Sequence, residues 1–483
     1  MKKIIAVVIC LTMLLAIVPF AANAAVTVKE GNFGDNGEFH WKWTYESKYV
    51  SGKGNTKTSD LVLSVNDAFK GKTDGVLPEY ESASDIPWLV GVEGAYVTSD
   101  QIDNVVSITV ENGITTIPAY SFSTLGHATE FYLPDNLTSI GREAFKNLTN
   151  LTVYDIPDTV TFIGKYAFMY SGVKELTIPP QLTSIGDSAF ECMPELTTVK
   201  LHANVEKIGE YAFANCPKLA SITLPSKLTS IGANAFRRCT AITKLDIPAS
   251  VSYIGENAFK YCTSLTSSAI PAGITSVSEG LYFGCYSITS ITVPASVESI
   301  EKEAFYLCTS LEKLALPEGL KTIGTRAFGK CSALKTLDIP DGITSIPNYA
   351  FYECSALESI DLSLDLKAIG RGAFYRCSSL KSIEFPAGVT SIGSDCFYEC
   401  ESLASVGVPE SVSNIGKYAF TRCGALNTLE IPSASTYIGR YTYGYLYQKG
   451  VGFTVSETAT IIGYPGSTAE AYANALGLNF QPK

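Results

Sequence analysis

The apolar and polar positions of the chain repeat as one phrase, approximately L-x-x-I-x-I-P-x-x-V-x-x-I-G-x-x-A-F-x-x-C, about every 23 residues from Phe122 to Tyr443. Tyr443 takes the last aromatic place, and the phenylalanine stands at 122, 145, 168, 190, 213, 236, 259, 283, 305, 328, 351, 374, 397 and 420. This spacing indicates fifteen copies of one structural unit. Because a copy can bury its apolar positions only against its neighbours, the copies are predicted to stack.

The period and the prolines predict how each copy folds. A unit of 23 residues is too short for a pair of helices and fits a short strand followed by a return segment. A proline follows the first apolar run in most copies, as at Pro317, Pro340 and Pro386. Proline has no N–H to donate, so it ends the strand at the same place in each turn. We therefore expect a mainly β solenoid of about fifteen turns with one parallel sheet.

The wording of the repeat is similar to that of a known family. The unit LKTLDIPDGITSIPNYAFYECSA resembles the BspA-type leucine-rich repeat family of secreted and surface proteins. Upstream, IDNVVSITVENGITTIPAYSF resembles the entry module of such arrays, and downstream IIGYPGSTAEAYANALGLNF resembles their closing module. The resemblance implies a leucine-rich repeat solenoid. It also implies a role in extracellular adhesion and ligand display, with different members binding different partners.

Four segments follow from these patterns. Residues 1–24 have a basic start, an apolar stretch and a small-residue site, which is typical of a secretory signal peptide. Residues 25–103 lack the repeat, contain all three tryptophans and are expected to form a β-rich capping module. The solenoid is assigned to residues 104–447 and a short αβ cap to residues 448–483.

The C-terminal cap has a local helix signal. Ser467 and Glu470 have the spacing of a capping box, which predicts a short helix over residues 468–476. Gly477 is placed to end that helix. The helix is expected to close the stack of turns.

The charge of the chain restricts its partners. It has 36 Lys and Arg against 47 Asp and Glu, a net charge of −11. Without Lys2 and Lys3 of the signal peptide, 34 basic residues remain against 47 acidic ones, a net charge of −13. Such a surface argues against nucleic acid and anionic membranes as partners. We predict a secreted monomer, either released or held at the cell surface without a membrane span, that binds an extracellular protein or cell-surface ligand.

The cysteines fall mostly in one column of the repeat. Parallel side chains in such a column stay about 4.8 Å apart, whereas the Cβ atoms of a disulfide lie about 3.8 Å apart. We therefore favour buried thiols over disulfides, and Cys396 is the one irregular thiol. A metal site is disfavoured because the chain has no C-x-x-C pair and only three histidines. The eleven column cysteines are Cys192, Cys216, Cys239, Cys262, Cys285, Cys308, Cys331, Cys354, Cys377, Cys400 and Cys423.

An acidic row is the first candidate binding surface. Asp338, Asp361 and Glu384 occupy one strand position in three consecutive turns, and Asp246 and Glu430 occupy it elsewhere. Stacked like charges are mildly destabilising, so the row suggests a cationic partner, either basic protein side chains or Ca²⁺. The alternative is a solvated face without a partner.

A tyrosine row is the second candidate. Tyr352, Tyr375 and Tyr398 follow the A-F pair in three consecutive turns, and Tyr306 has the same place earlier. Exposed tyrosines in a line make good contact surface, but stacked rings also stabilise a repeat array. Because both rows run through the turns from Asp338 to Tyr398, these turns are predicted to carry the binding site.

Catalysis has little support in the sequence. The chain contains no H-E-x-x-H, no G-x-S-x-G and no phosphate-binding G-x-x-x-x-G-K-[ST]. Repeat arrays also lack the single deep pocket that acid–base chemistry needs. We therefore expect no enzyme and no cofactor. A structural protein that assembles end to end and a hydrolase of surface polymers are the alternatives to an adhesin.

Overall fold

The chain folds into two compact units, unit 1 (Met1–Leu228) and unit 2 (Thr229–Lys483). Both are built of the same turn, about 16 in all. The predicted signal peptide falls on residues 1–24, and its first 23 residues lie outside the part of the chain that is described. The computed structural model describes residues 24–33, 39–50, 54–65, 105–152, 154–448 and 452–483, together with residues 77, 78, 80, 82, 86, 91, 92, 95 and 96.

Unit 1 contains the long N-terminal strands and the first turns. Its strands are β1 (Ala24–Phe33), β2 (Phe39–Val50), β3 (Gly54–Val65), β4 (Gly91–Val92), β5 (Ala95–Tyr96), β6 (Val105–Val110), β7 (Thr116–Ile117), β8 (Glu130–Tyr132), β9 (Ser139–Ile140), β10 (Phe162–Ile163), β11 (Glu175–Thr177), β12 (Ser184–Ile185), β13 (Thr198–Lys200), β14 (Lys207–Ile208) and β15 (Ser221–Thr223).

The first sheet of unit 1 has the order β1-β2-β3-β6-β8. β2 pairs antiparallel with β1 and β3, and then β3 pairs with β6 and β6 with β8 in parallel. Phe39 and Trp41 of β2 are buried together with Leu61 and Leu63 of β3. The sheet thus joins the N-terminal module to the first repeats.

Unit 2 contains the regular turns and the C-terminal cap. Its elements are β16 (Ser230–Ile231), β17 (Tyr253–Ile254), β18 (Ser267–Ala269), β19 (Ser276–Val277), β20 (Ser290–Thr292), β21 (Ser299–Ile300), β22 (Lys313–Leu314), β23 (Thr322–Ile323), β24 (Thr336–Asp338), β25 (Ser345–Ile346), β26 (Ser359–Asp361), β27 (Ala368–Ile369), β28 (Ser382–Glu384), β29 (Ser391–Ile392), β30 (Ser405–Gly407), β31 (Asn414–Ile415), β32 (Thr428–Glu430), β33 (Tyr437–Ile438), β34 (Tyr445–Gln448), β35 (Gly452–Val455), β36 (Thr460–Gly463), the helix α1 (Thr468–Leu476) and β37 (Asn479–Pro482). Within the described ranges, no helix has the length and apolar character needed to cross a membrane.

A regular turn contributes two short strands to two parallel ladders. β24 pairs in parallel with β26, and β28 pairs with β30. The second ladder runs β25-β27-β29-β31-β33. The predicted parallel register is confirmed. The second ladder is additional, because a strand of two residues is too short to show an alternating pattern in the sequence.

The core of unit 2 is a column of stacked aromatic rings. Phe328 and Phe351 lie 5.4 Å apart with ring planes 8° from parallel, and Phe351 and Phe374 lie 5.3 Å apart at 10°. All three side chains are fully buried. Each ring therefore packs on the equivalent ring of both neighbouring turns, which links the stability of a turn to that of its neighbours.

One sequence-based assignment in this column is wrong. Tyr282, not Phe283, stacks between Phe259 at 5.6 Å and Phe305 at 5.9 Å. Tyr282 is fully buried, and its hydroxyl shares a hydrogen bond of 2.8 Å with the hydroxyl of Ser268. That bond satisfies the one polar atom that a tyrosine brings into an aromatic core. With Tyr282 in place, the steps from Phe259 and to Phe305 are both 23 residues.

Two positions in each regular turn have a left-handed backbone. They lie two residues before and two residues after the core aromatic residue, and we call them the −2 column and the +2 column. In the turn of Phe351 they are Tyr349 (φ 59°) and Glu353 (φ 56°). Their N–H groups donate to the next turn, to Arg371 O at 2.9 Å and to Tyr375 O at 2.8 Å. These bonds offset a conformational cost of about 1–3 kcal/mol per residue.

The C-terminal cap has the predicted helix. α1 begins after Ser467, whose hydroxyl accepts a hydrogen bond of 3.3 Å from the N–H of Glu470. The Glu470 carboxylate accepts a hydrogen bond of 2.6 Å from the N–H of Gly466. Gly477 ends the helix in a left-handed conformation with φ 69°. The capping signals in the sequence therefore predicted both ends of this helix correctly.

Candidate functional site

The acidic row lies on the strands of the first ladder. Asp338 of β24 is paired directly with Asp361 of β26 across the ladder, and Glu384 occupies the same position in β28. All three side chains are exposed, while the central residue of each of these strands is buried. The strand pleat thus places three like charges on one outer face in consecutive turns.

These three charges have no counterion among the residues that the structure describes. Elsewhere in the same strand position, Asp246 pairs with Lys244 Nζ at 2.8 Å, and Glu430 pairs with Lys483 Nζ at 2.7 Å. Within the described ranges, no ion pair involves Asp338, Asp361 or Glu384. The fold can neutralise this position and does not do so in the three turns of the row.

The acidic row does not gather into a metal site. In the part of the chain that the structure describes, no three His, Cys, Asp or Glu side chains are arranged to hold a metal ion. Asp338 and Asp361 are related by one strand spacing, with their side chains parallel. Parallel carboxylates make a linear band of negative charge along the face and do not converge on one point.

The tyrosine row lies one residue after the core column. The rings of Tyr352 and Tyr375 are 5.5 Å apart, and those of Tyr375 and Tyr398 are 5.0 Å apart and nearly parallel. The three side chains are half-buried, whereas exposed rings were expected from the sequence. Tyr375 packs between Tyr352 and Tyr398, and each of these two rings packs on Tyr375 from one side. The row therefore contributes to the array and also presents the remaining ring surface.

A ladder of alternating charge runs beside the tyrosine row in the +2 column. Lys330 Nζ lies 3.4 Å from Glu353, Glu353 lies 3.2 Å from Arg376, and Arg376 Nε lies 2.6 Å from Glu399. Arg422 pairs with the second oxygen of Glu399. We call these five residues the charge ladder. The sequence reasoning missed it, although the signs alternate at a spacing of 23 residues in the sequence itself.

The charge ladder also covers the tyrosine rings. Lys330 Nζ lies 5.6 Å from the ring centre of Tyr352, and the guanidinium of Arg376 lies 5.3 Å from that of Tyr375. These are cation–π distances, which add a further attraction between the two columns. A hydrogen bond to the Glu353 carboxylate, with burial, raises the pKa of Tyr352 to about 12.

The pKa of Glu353 shows which electrostatic effect is larger. Burial acts to raise the pKa of this carboxyl, but the hydrogen bond from Tyr352 and the neighbouring Lys330 and Arg376 outweigh it and lower the pKa below its usual value. Glu353 is therefore ionised at neutral pH and held by its partners. A carboxylate bound in this way is a poor general acid or base.

The two predicted rows do not meet in one cleft. A groove of about 500 Å³ lies along the charge ladder, between residues such as Lys330, Arg376 and Ser355. A second cleft of about 370 Å³, here called the aromatic cleft, is lined by Tyr306, Arg326, Tyr349, Tyr352 and Tyr375. Neither cleft is lined by a member of the acidic row. The two rows thus do not share either cleft.

The cysteine column belongs to the core. Cys331, Cys354 and Cys377 are fully buried, and their thiols donate to the carbonyl oxygens of Phe305, Phe328 and Phe351 at 3.2, 3.1 and 3.2 Å. Burial raises the pKa of the Cys354 thiol to about 12. Such a thiol stays protonated at neutral pH and is not a nucleophile or metal ligand. Each of the cysteines that the structure describes is free.

One cysteine was assigned to this column incorrectly. Met193 is fully buried at the column position, three residues after Phe190. Cys192 lies in the +2 column, with a left-handed φ of 57° and a partly exposed side chain. Ten of the eleven cysteines therefore form the column, and Cys396 is buried beside it. The assignment of Cys192 to the column failed because the left-handed backbone at Cys192 directs its side chain differently from that of Met193, the next residue.

Comparison with known proteins identifies relatives of the array. The model of the BspA type leucine-rich repeat region matches residues 99–220, 184–292, 275–383 and 367–464. The chain is similar to a leucine-rich repeat protein from Bacteroides ovatus, with 26% identity, 80% of this chain and 92% of that chain covered and a TM-score of 0.56. It is also similar to a leucine-rich cell surface protein from Faecalibacterium prausnitzii, with 31% identity, 52% and 86% covered and a TM-score of 0.36. None of the curated proteins matches.

Proposed function

Because the chain belongs to the BspA-type leucine-rich repeat family, we propose that it is a non-catalytic scaffold that works outside the cell as an adhesin and binds a basic partner. The observation that supports this proposal most directly is the acidic row of Asp338, Asp361 and Glu384, which has no counterion in the described part of the chain. The signal peptide predicted for residues 1–24 supports the proposed export.

The acidic row has a cost that a basic partner would remove. Like charges directly opposite each other on neighbouring strands destabilise a sheet by a few tenths of a kcal/mol up to about 1 kcal/mol. The pairs Asp246–Lys244 and Glu430–Lys483 show that a lysine fits beside this position. Features that break a local rule without compensation tend to mark functional sites. Lysine or arginine side chains of a partner would supply the missing counterions.

The tyrosine row is the second contact surface in this proposal. Tyr352, Tyr375 and Tyr398 are fixed by stacking at 5.5 and 5.0 Å, so little side-chain entropy is lost when a ligand packs on them. Fixed tyrosine rings are frequent binding hot spots. Since no member of the acidic row lines the aromatic cleft of Tyr352 and Tyr375, we assign the two rows to different parts of a ligand or to different ligands.

A charge-neutralised variant tests the acidic row. The triple variant Asp338→Asn, Asp361→Asn and Glu384→Gln should bind an immobilised extracellular-matrix preparation, and poly-lysine as a defined basic probe, at least about tenfold more weakly. The salt dependence of the residual binding should also be flatter, because fewer ion pairs form. Surface plasmon resonance at several salt concentrations measures both quantities.

The matched control has the same loss of three charges outside the row. It combines Asp246→Asn, Glu312→Gln and Glu430→Gln, and it should keep the affinity of the unaltered chain within about twofold, since scattered surface charges contribute little. Equal binding by the row variant and the unaltered chain would overturn the proposal. An equal loss of binding in the control would show an effect of net charge and not of the row.

A further inference from the structure

The aromatic cleft is built from side chains of several turns of unit 2. It is lined by Tyr306, Arg326, Tyr349, Tyr352 and Tyr375. These residues come from four different turns, so the site exists only in the stacked array. Its volume of about 370 Å³ is in the range of small-ligand sites, which is about 300–1,000 Å³.

Two glycines make room for the rings of this cleft. A Cβ atom at Gly372 would lie 2.5 Å from Cε1 of Tyr349, and one at Gly329 would lie 2.8 Å from Cδ2 of Tyr306. Both distances are well inside van der Waals contact. The ring of each tyrosine therefore lies against the bare backbone of the following turn.

Backbone conformation does not explain these glycines. Gly372 has φ 57°, but the same −2 column position is left-handed in Arg326 at 58° and Asp395 at 56°, which are ordinary residues. Gly329 interrupts the tyrosine column between Tyr306 and Tyr352, without a left-handed φ. Space for the two rings is the remaining physical reason, and it means that the rings are held in fixed places.

The fixed rings form a corner with polar groups along its edge. The rings of Tyr349 and Tyr352 are 6.0 Å apart with their planes at 86°, so the two rings that line the cleft stand at right angles to each other. Arg326 lies 5.5 Å from the centre of Tyr349 and pairs with Glu303 at 3.3 Å. The cleft thus combines tyrosine rings and hydroxyl groups with the guanidinium of Arg326, and the Glu303 carboxylate pairs with that guanidinium beside the cleft.

We propose that the aromatic cleft binds an uncharged polysaccharide, with sugar rings packed on the tyrosines. This inference rests on the proposed role of the tyrosine row as contact surface and names the chemical class of its ligand. The C–H face of a pyranose ring is apolar and weakly positive, which suits the negative face of an aromatic ring. Sugar hydroxyls both donate and accept, so they match the tyrosine hydroxyls, Arg326 and Glu303 together.

A proline-rich peptide is the other ligand that suits an aromatic groove. Its extended backbone presents carbonyl acceptors and, at proline, no donor. The Glu303 carboxylate beside the cleft would then face a ligand without donors for it. This difference in donors favours the saccharide.

Affinity electrophoresis tests this inference on the full chain. Native gels containing laminarin, xyloglucan, mannan or pullulan should retard the protein with at least one polymer. The variants Tyr352→Ala and Gly372→Ala should raise the apparent dissociation constant at least about tenfold. Tyr253→Ala is the matched control, since Tyr253 is 57% exposed outside the cleft, and its migration should equal that of the unaltered chain.

A measurement without mutations covers the case in which a variant unfolds. Hydroxyl-radical footprinting of the unaltered chain should show that the retarding polymer protects Tyr349 and Tyr352 from oxidation and leaves Tyr253 unchanged. Absence of retardation by all four polymers, or retardation without this protection, would overturn the inference. Protection by a proline decamer in place of the polymers would assign the cleft to peptides. The acidic-row variant should still be retarded, which separates this test from that of the basic partner.

Discussion

The charged side chains on the strands and those on the return segments of the same turns are arranged in opposite ways. On the return segments, the charge ladder alternates in sign, and each inner member touches a partner on both sides, as Arg376 touches Glu353 and Glu399. On the strands, Asp338 and Asp361 are like charges paired directly with each other. One chain period of 23 residues produces both arrangements.

The difference shows how a repeat array separates stability from recognition. A 23-residue period stacks identical positions, so any charged column must either alternate in sign or accumulate like charges. In the alternating column each charge pairs with the next, and the cationic side chains lie over rings of the tyrosine row. The accumulating column leaves its charges to water or to a partner. The following variants test that contrast.

The largest loss of stability is expected from a change in the core, because the strands and the return segments both pack on it. Phe351→Ala removes a fully buried ring that stacks on Phe328 and Phe374, and it should lower the free energy of unfolding by about 3–5 kcal/mol. Urea titration followed by circular dichroism measures it. Tyr352→Ala, one residue further and half-buried, is the control and should cost clearly less. Similar losses in the two variants would contradict the assignment of the core column.

Breaking the charge ladder should lower stability by a smaller amount. Glu399 is only 12% exposed and pairs with both Arg376 and Arg422. Glu399→Gln should therefore cost about 1 kcal/mol, at the upper end of the range for surface ion pairs. Glu401→Gln is the matched control in the same turn, and we expect no measurable change there. If thermal unfolding shows equal midpoints for both variants, the ladder does not stabilise the array.

The charge ladder should also give stability a pH dependence. Because the folded pKa of Glu353 is lowered, its contribution is present above the unfolded pKa of about 4.3 and is lost as pH falls through the folded value. Glu353→Gln should thus be less stable than the unaltered chain at pH 7, by a few tenths of a kcal/mol up to about 1 kcal/mol. The difference should shrink as pH falls below about 4.3 and should disappear once the pH is below the folded pKa. A difference that grows on acidification would refute the assigned partners.

Much of the fold was predictable because the same pattern of residues recurs in each copy of the repeat. The parallel register, the burial of the phenylalanine column and the capped helix after Ser467 were all predicted from spacing and cap residues. The errors came at single copies. Phe283 was placed where Tyr282 stacks, because a tyrosine beside a phenylalanine makes the column ambiguous by one position.

The candidate surfaces were less predictable for a physical reason. The sequence shows that Asp338 and Tyr352 occupy variable positions of the repeat. It does not show that residues such as Glu353 and Arg376 have a left-handed backbone and direct their side chains toward each other. Charge ladder and aromatic cleft both depend on those backbone angles. Gly372 illustrates the difficulty, since its role depends on a ring from the preceding turn and not on its own conformation.

The smallest expected effect is a change in the free energy of unfolding on neutralising one charge of the acidic row. Its sign distinguishes the acidic row from the charge ladder. Asp361 is exposed, stacks on Asp338 and has no ion pair in the described part of the chain. Asp361→Asn should therefore raise the free energy of unfolding slightly, by up to about 0.5 kcal/mol, because it removes repulsion and no attraction. The gain should shrink at high salt, which screens exposed charges.

Asp246→Asn is the matched control in the same strand position, where the loss of the 2.8 Å pair with Lys244 should leave stability unchanged or slightly lower. Paired urea titrations at low and high salt decide between the two signs. A loss of stability in Asp361→Asn that matches the loss in Glu399→Gln would mean that the strand face is neutralised after all, and the acidic row would then have no claim on a basic partner.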